Sequence, residues 1–299
     1  MMKTNKVKKL KVNFAEEQHE KSLNYYEKNK ITYDEISSNG SIIENKSIPD
    51  ELLSKILCGT DHKALLICQL VCKHWHYLIR SYVWHKKAEL TIGKALPISE
   101  KIPWTIYYFI CDKKPFYKNL IKNHSGEDGF SAYWGIIENG GHGWNVERPP
   151  TAVKPLPDDP VFENKNYCFV TSFSKCWKEQ VINLIDEGFS EYLLDYLQPT
   201  IKVSEWFCCR PNVPAVYECT IKLLREQKSD RTAIEALSYS KILEGEQMNQ
   251  WFQFTHEFKN YGKGLRKIKF CHGGQDRSYV VGNCGSKMAG ACVQLEIRT

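Results

Sequence analysis

Long apolar runs are missing from this 299-residue sequence. None approaches the ~20 residues that a membrane helix needs, so no membrane span is expected. No apolar h-region follows the lysines near Met1, and no secretory signal is visible. Paired metal-ligand halves are also missing. The 12 cysteines include no C-x-x-C, and Cys208 and Cys209 are merely adjacent. The chain is too long for a disulfide-scaffolded miniprotein, so free thiols and a cytoplasmic location are expected. Cys68 and Cys72, four apart on one helix, are read as packing residues. Cys72, His74 and His76 make a weak metal pattern, read as surface histidines on a helix. There is no G-x-S-x-G, no Walker loop and no H-E-x-x-H. We therefore assign no catalytic residue, no metal and no cofactor, and expect no enzyme. A net charge of +6 is moderate for this length and does not demand nucleic acid.

What is present is a soluble-type composition, 42% hydrophobic and 25% charged. Residues 1–46 read as a polar, disordered tail without a sustained apolar period. Pro49 stands where a helix should begin, with Ser47 three residues before Asp50 as a capping box. Leu52, Leu53, Ile56 and Leu57 recur at helical spacing. Gly59, Thr60 and Asp61 interrupt them. A second helical run carries Leu65, Leu66, Leu70 and Val71, and a third carries Trp75, Leu78, Ile79 and Tyr82. Three such short helices cannot bury this much apolar side chain among themselves. A partner surface is expected to cover the rest.

Residues 89–115 read as a rigid helical linker, with a bulky run from Trp104 to Ile110. From residue 116 the pattern changes to short alternating segments with Gly and Pro turns, as in a β-sandwich or jelly roll. Examples are 132–137, 167–171, 201–207, 216–224, 251–258, 265–270 and 293–297. Lys202, Ser204, Lys222, Lys267 and Lys269 should face water. One helical interruption is expected over 177–197, closed by Pro199. The glycine-rich stretch Asn139–Gly143 and the stretch His272–Asp276 are both expected to be turns, with Asp276 bonding its own backbone.

Residues 47–88 resemble an F-box. The likeness rests on Ile48-Pro49-Asp50-Glu51-Leu52-Leu53, Ile56-Leu57, Leu70 through Trp75, Leu78-Ile79 and Trp84. Cys58-Gly59-Thr60 departs from the bulkier residues usual there. The resemblance implies docking on the adaptor of an SCF-type cullin-RING ubiquitin ligase, and through it on the cullin scaffold. By that carry-over Pro49, Leu52, Ile56, Leu57, Val71 and Trp75 face the adaptor.

Residues 116–299 resemble the F-box-associated (FBA) domain of the sugar-recognising F-box proteins. The specific segments are Glu205-Trp206-Phe207, Tyr217 through Leu224, Asn260 through Gly264, and His272 through Asp276. The implied fold is α+β multidomain: a small all-α F-box, a helical linker and an antiparallel β-sandwich of the galactose-binding-like type.

In that family a pocket at one end of the sandwich grips the inner N-acetylglucosamines of N-glycans on misfolded glycoproteins destined for ER-associated degradation. The carried-over positions here are Phe173, Asn212, Tyr279, Val280 and Val281. Asn212 stands where the sugar binders have aspartate, Val280 where they have tryptophan, and Val281 where they have lysine. The lost stacking surface is worth ~1 kcal/mol and the lost charged donor roughly 1.5–3 kcal/mol. Together they reduce sugar affinity by about two orders of magnitude or more. The cargo is thus left open between glycoprotein and a protein surface. An alternative is a carbohydrate- or protein-binding module acting without the ligase.

Overall fold

The computed structural model describes residues 40–43, 46–96, 102–226 and 233–297. Most of the expected polar tail, residues 1–39 and 44–45, lies outside them. The chain divides into two compact units, residues 1–112 with Thr299, and residues 113–298.

The first unit is helical apart from a two-residue ladder between β1 (Ile42–Ile43) and β2 (Lys46–Ser47). Helix α1 (Asp50–Gly59) starts on Pro49, whose carbonyl accepts from Leu52 and Leu53 N–H, each at 3.0 Å. The capping box at Ser47 does not form: Ser47 is held extended in β2, and no side chain caps α1. Asp61 caps α2 (His62–Cys68), accepting from Lys63 and Ala64 N–H. Helix α3 (Lys73–Leu78) continues through a π-helical turn (Ile79–Val83) into α4 (Trp84–Ile92). Gly93 stops it in the left-handed conformation, φ 74°. Helix α5 (Trp104–Lys113) follows. Its Trp104 stacks on the fully buried Trp84 at 5.9 Å, and Tyr108 meets the same ring edge-on at 5.5 Å. Leu53, Leu57, Leu65, Ile79 and Val83 complete the buried interior of this unit.

The second unit is two five-stranded antiparallel sheets. One runs β10 (Phe252–Phe258), β7 (Thr200–Cys208), β12 (Lys287–Glu296), β5 (Cys168–Val170), β4 (Asn145–Glu147). The other runs β3 (Gly135–Asn139), β6 (Cys176–Asn183), β11 (Lys267–Asp276), β8 (Ala215–Leu224), β9 (Ala233–Leu243). Alternation sets the inward rows: Ile201, Val203, Glu205 and Phe207 on β7, and Tyr217, Cys219, Ile221 and Leu223 on β8. The two sheets meet where Phe207 stacks on Tyr217 at 4.1 Å. The unit is the expected sandwich.

Two further expectations are corrected, and one strand is new. The helix expected over 177–197 is present only at its end: β6 runs to Asn183, a turn follows, and the helical part is Leu193–Leu197 with the residues just before it. The inward row of β6 is Cys176, Lys178, Gln180 and Ile182, so two polar residues face the core and hide the period-2 signal. The stretch His272–Gly274 is no turn but the middle of a continuous strand, β11. Its glycines are required by close neighbours: a Cβ on Gly273 would collide with Cys176 O and lie 2.7 Å from the Trp177 ring, and one on Gly274 would collide with Val216 O. Strand β9 was not expected; Glu235 and Lys241 interrupt its inward row, so it has no clean apolar alternation.

Candidate functional site

Each unit carries a candidate surface. On the first, α1 splits its apolar residues between two faces. Leu53 and Leu57 point inward, 1% and 2% exposed, while Leu52 and Ile56 stand 52% and 57% exposed. Ile67, Leu70 and Val71 at the end of α2 and in the following turn are also exposed, and so is Pro49. Trp75 is half-buried, its indole N–H donating to Gly40 O at 2.6 Å. Among the described residues of this unit the exposed large apolar side chains are thus Leu52, Ile56, Ile67, Leu70 and Val71 on and just after the first two helices, and Leu90 and Phe109 further along the chain. Leu57, expected to face a partner, is instead enclosed by its own unit, because the inner stripe of α1 packs on the helix that follows Leu78. His74 and His76 take part in hydrogen bonds, to Asp50 at 2.8 Å and to the Gln69 carbonyl at 3.0 Å. Among the described residues no cluster of His, Cys, Asp or Glu could hold a metal ion.

On the second unit, four loops are tied together at one end of the sandwich. Gly141 (φ 64°) turns the 140–144 loop against Ser172, where an added Cβ would lie 2.7 Å from Ser172 Oγ and 3.1 Å from the Phe173 ring. Ser172 Oγ accepts from His142 N–H and donates to Gly282 O, both at 2.9 Å. His142 meets Phe173 edge-on at 5.7 Å. Asp276 N–H donates to Ser172 O at 3.0 Å, and Arg277 N–H to Pro214 O at 2.8 Å, which attaches the loop of Asn212. Asn283 Nδ2 donates to Gly143 O at 2.7 Å.

Asp276 is 1% exposed and, as expected, folds its own loop: Oδ1 accepts from Ser278 N–H at 2.8 Å and Val280 N–H at 3.4 Å. The loops therefore bring all five expected positions to one end. Phe173 is half-buried, and Asn212 is exposed with φ 64°. Tyr279 is 74% exposed with φ 53°, Val280 36% and Val281 77%. Ser172 and His142 were not expected in this role. Their contribution is a hydrogen-bond scaffold between loops distant in sequence, for which no local pattern exists.

Behind the loops lies a charged layer. Glu147 accepts from Arg210 Nη2 at 2.9 Å and from the fully buried Lys287 Nζ, and Arg210 Nη1 donates to Cys284 Sγ at 3.4 Å. Deeper still, Glu205 takes Tyr217 Oη and His272 Nδ1, both at 2.6 Å. His272 stacks on Trp134 at 4.4 Å. Lys178 lies among Phe169, Trp144 and Trp134 and donates to Phe130 O at 3.2 Å. Burial drives the Lys178 ammonium well below its ordinary value and holds His272 below the usual histidine range, and it raises Tyr217 well above the phenol range. Lys178, Glu205, Tyr217 and His272 are fully buried and face no solvent, whereas Glu147 and Arg210 are partly exposed. They hold the two sheets in register rather than present chemistry to a ligand.

Exposed apolar side chains on the helices of one unit and a cluster of loops gathered at one end of a β-sandwich are the features of a two-unit binding protein. Residues 46–89 match the F-box-like family and residues 111–295 match the F-box associated region. The chain belongs to the F-box proteins that carry an F-box associated region. It is 33% identical over 255 residues to F-box only protein 2 of Bos taurus, covering 83% of each chain. It is 31% identical to F-box only protein 44 of Homo sapiens, covering 83% of this chain and 95% of that one. With F-box only protein 17 of Homo sapiens it shares 32% identity over 84% of this chain and 92% of the other. No described helix is long and apolar enough to cross a membrane.

Proposed function

We propose that this chain is the substrate-recognition subunit of an SCF-type cullin-RING ubiquitin ligase. The first unit docks on the adaptor, and through it on the cullin scaffold. The loop end of the second unit holds cargo. Such a subunit supplies no reacting group; it works by bringing cargo close to the ubiquitin-loaded enzyme. The observation that carries the reading is the set Leu52, Ile56, Ile67, Leu70 and Val71, apolar and exposed on and just after the first two helices of the segment that matches the F-box-like family.

The test is co-purification of the adaptor from cytoplasmic extract. A Leu52→Asp, Val71→Asp chain is expected to lose the adaptor while its circular dichroism stays unchanged. Retention of the adaptor by that chain would end this reading.

For the cargo, the loop end supports recognition of a protein surface over an N-glycan. Phe173 and Tyr279 keep aromatic faces there, but Val280 and Val281 present methyl groups where a sugar calls for an indole and an ammonium. A chitobiose titration of the full chain is expected to give no saturation at millimolar sugar. Saturation at micromolar sugar would reverse the assignment in favour of glycoprotein cargo.

A further inference from the structure

The sheets of the second unit leave four edge strands, β10, β4, β3 and β9. Of these β9 is the longest, 11 residues against 7, 3 and 5. An edge strand offers a row of unpaired N–H and C=O groups, which proteins ordinarily blunt with proline, bulges, shortness or charge. Strand β9 has no proline and no glycine, and its regular pairing with β8 holds from Leu243 back to Glu235. A bulge at Ile234 ends that stretch. Its only two charges are Glu235 and Lys241.

Those two charges are symmetric about Ser238. With the strand laid antiparallel on a second copy of itself and Ser238 opposite Ser238, Glu235 meets Lys241, Ala236 meets Ser240, and Leu237 meets Tyr239. Each pair then occurs twice about the two-fold axis. Every opposed pair matches in kind: opposite charge, small with small, apolar with apolar. A slide by two residues in either direction preserves the faces but sets Glu235 against Tyr239 or Leu243, leaving both charges without a partner. A slide by one would turn the apolar row to the wrong face. The pattern therefore specifies a single register.

The surrounding structure agrees with this geometry. Leu237 and Tyr239 lie on the inward face, half-buried, and Tyr239 already packs on Phe254 at 4.9 Å. A second copy would extend that apolar row across the edge. Ser238, on the outer face, shares a hydrogen bond with the Thr220 hydroxyl at 3.1 Å. A two-fold interface of this kind is isologous, closing at two copies.

We propose that the free edge of β9 docks a second copy of this chain, antiparallel about Ser238, so that two five-stranded sheets become one ten-stranded sheet. The site is distinct from both surfaces used in the proposed function and does not depend on them.

The test is sedimentation equilibrium of the full chain with three charge variants. The unaltered chain should show a concentration-dependent dimer. Glu235→Lys and Lys241→Glu singly place like charges opposite each other twice per interface and should each weaken the dimer by about tenfold. The double variant Glu235→Lys, Lys241→Glu restores opposite charges and should return the dissociation constant to near its original value. Glu235 is exposed, while Lys241 is half-buried with its ammonium 5.8 Å from the centre of the Phe252 ring, so circular dichroism, expected unchanged, is recorded for each variant alongside. A Ser238→Cys chain should form a covalent dimer on mild oxidation, whereas Ser240→Cys, out of register with its own copy, should not. A chain that stays monomeric overturns the proposal and leaves the edge to an extended segment of another protein. So does a dimer indifferent to the charge reversals, or a double variant as weak as the singles.

Discussion

Gly273 is glycine for a reason that lies on the adjacent strand, β6. Its Cα sits against the backbone of Cys176 and under the ring of Trp177. Gly273→Ala is therefore expected to cost about 3 kcal/mol, seen as a lowered urea midpoint, since backbone cannot yield as a side chain can. Gly59, at the exposed end of α1 with nothing within 4 Å of an added Cβ, is the matching control. Gly59→Ala should stabilise by about 0.5–1 kcal/mol.

His272 sets a pH dependence at the same scale. Burial depresses its folded pKa, and burial likewise depresses that of His124. As pH falls below about 6.5 the unfolded chain takes up protons that the folded chain refuses. The stability present above that pH is lost progressively toward the folded pKa. Urea midpoints should thus fall between pH 7.5 and 5.5, a window above the carboxylate range. A flat profile there would contradict the burial of an uncharged imidazole.

At the scale of the element, α1 carries the sharpest contrast. Leu52 and Ile56 are four apart, and so are Leu53 and Leu57; both pairs form stripes of equal quality. Only the packing of α1 on the helix after Leu78 decides which stripe is the core. Leu57→Ala should destabilise the first unit by about 2–4 kcal/mol, and Ile56→Ala by under about 1 kcal/mol. Chemical denaturation monitored by Trp84 fluorescence separates the two. Equal effects would mean that the two stripes are equally covered. Strand β6 makes the same point in a sheet. With Lys178 and Gln180 pointing inward, its alternation is polar on the wrong side, and only the aromatic rings and the carbonyls of Phe130 and Lys122 around those side chains explain why that is tolerated.

For the whole molecule, thiol accessibility offers a single reading of both units. All 12 cysteines are free; eight are buried, and Cys58, Cys68, Cys72 and Cys292 are partly exposed. A thiol reagent should modify no more than those four in the native protein and all of them in denaturant. Desolvation, which pushes the buried Cys168 thiol up to about 12, slows the remainder further. Rapid native modification of more than four would show that a unit opens: the first unit if the fifth is Cys111, the sandwich otherwise.

Pro49, the apolar stripe of α1, the alternation in β7 and β8, and the order of the two family likenesses were legible in the chain, because each is a local pattern with its own period. So was the self-turn of Asp276, a side chain bonding its own neighbours. The enclosure of Leu57, the strand identity of His272–Gly274, the inward Lys178 and the hydrogen bonds joining the loops of His142, Ser172, Asn212 and Tyr279 were not. Each depends on which distant segment lies alongside, and no residue carries a record of a neighbour that folding alone supplies.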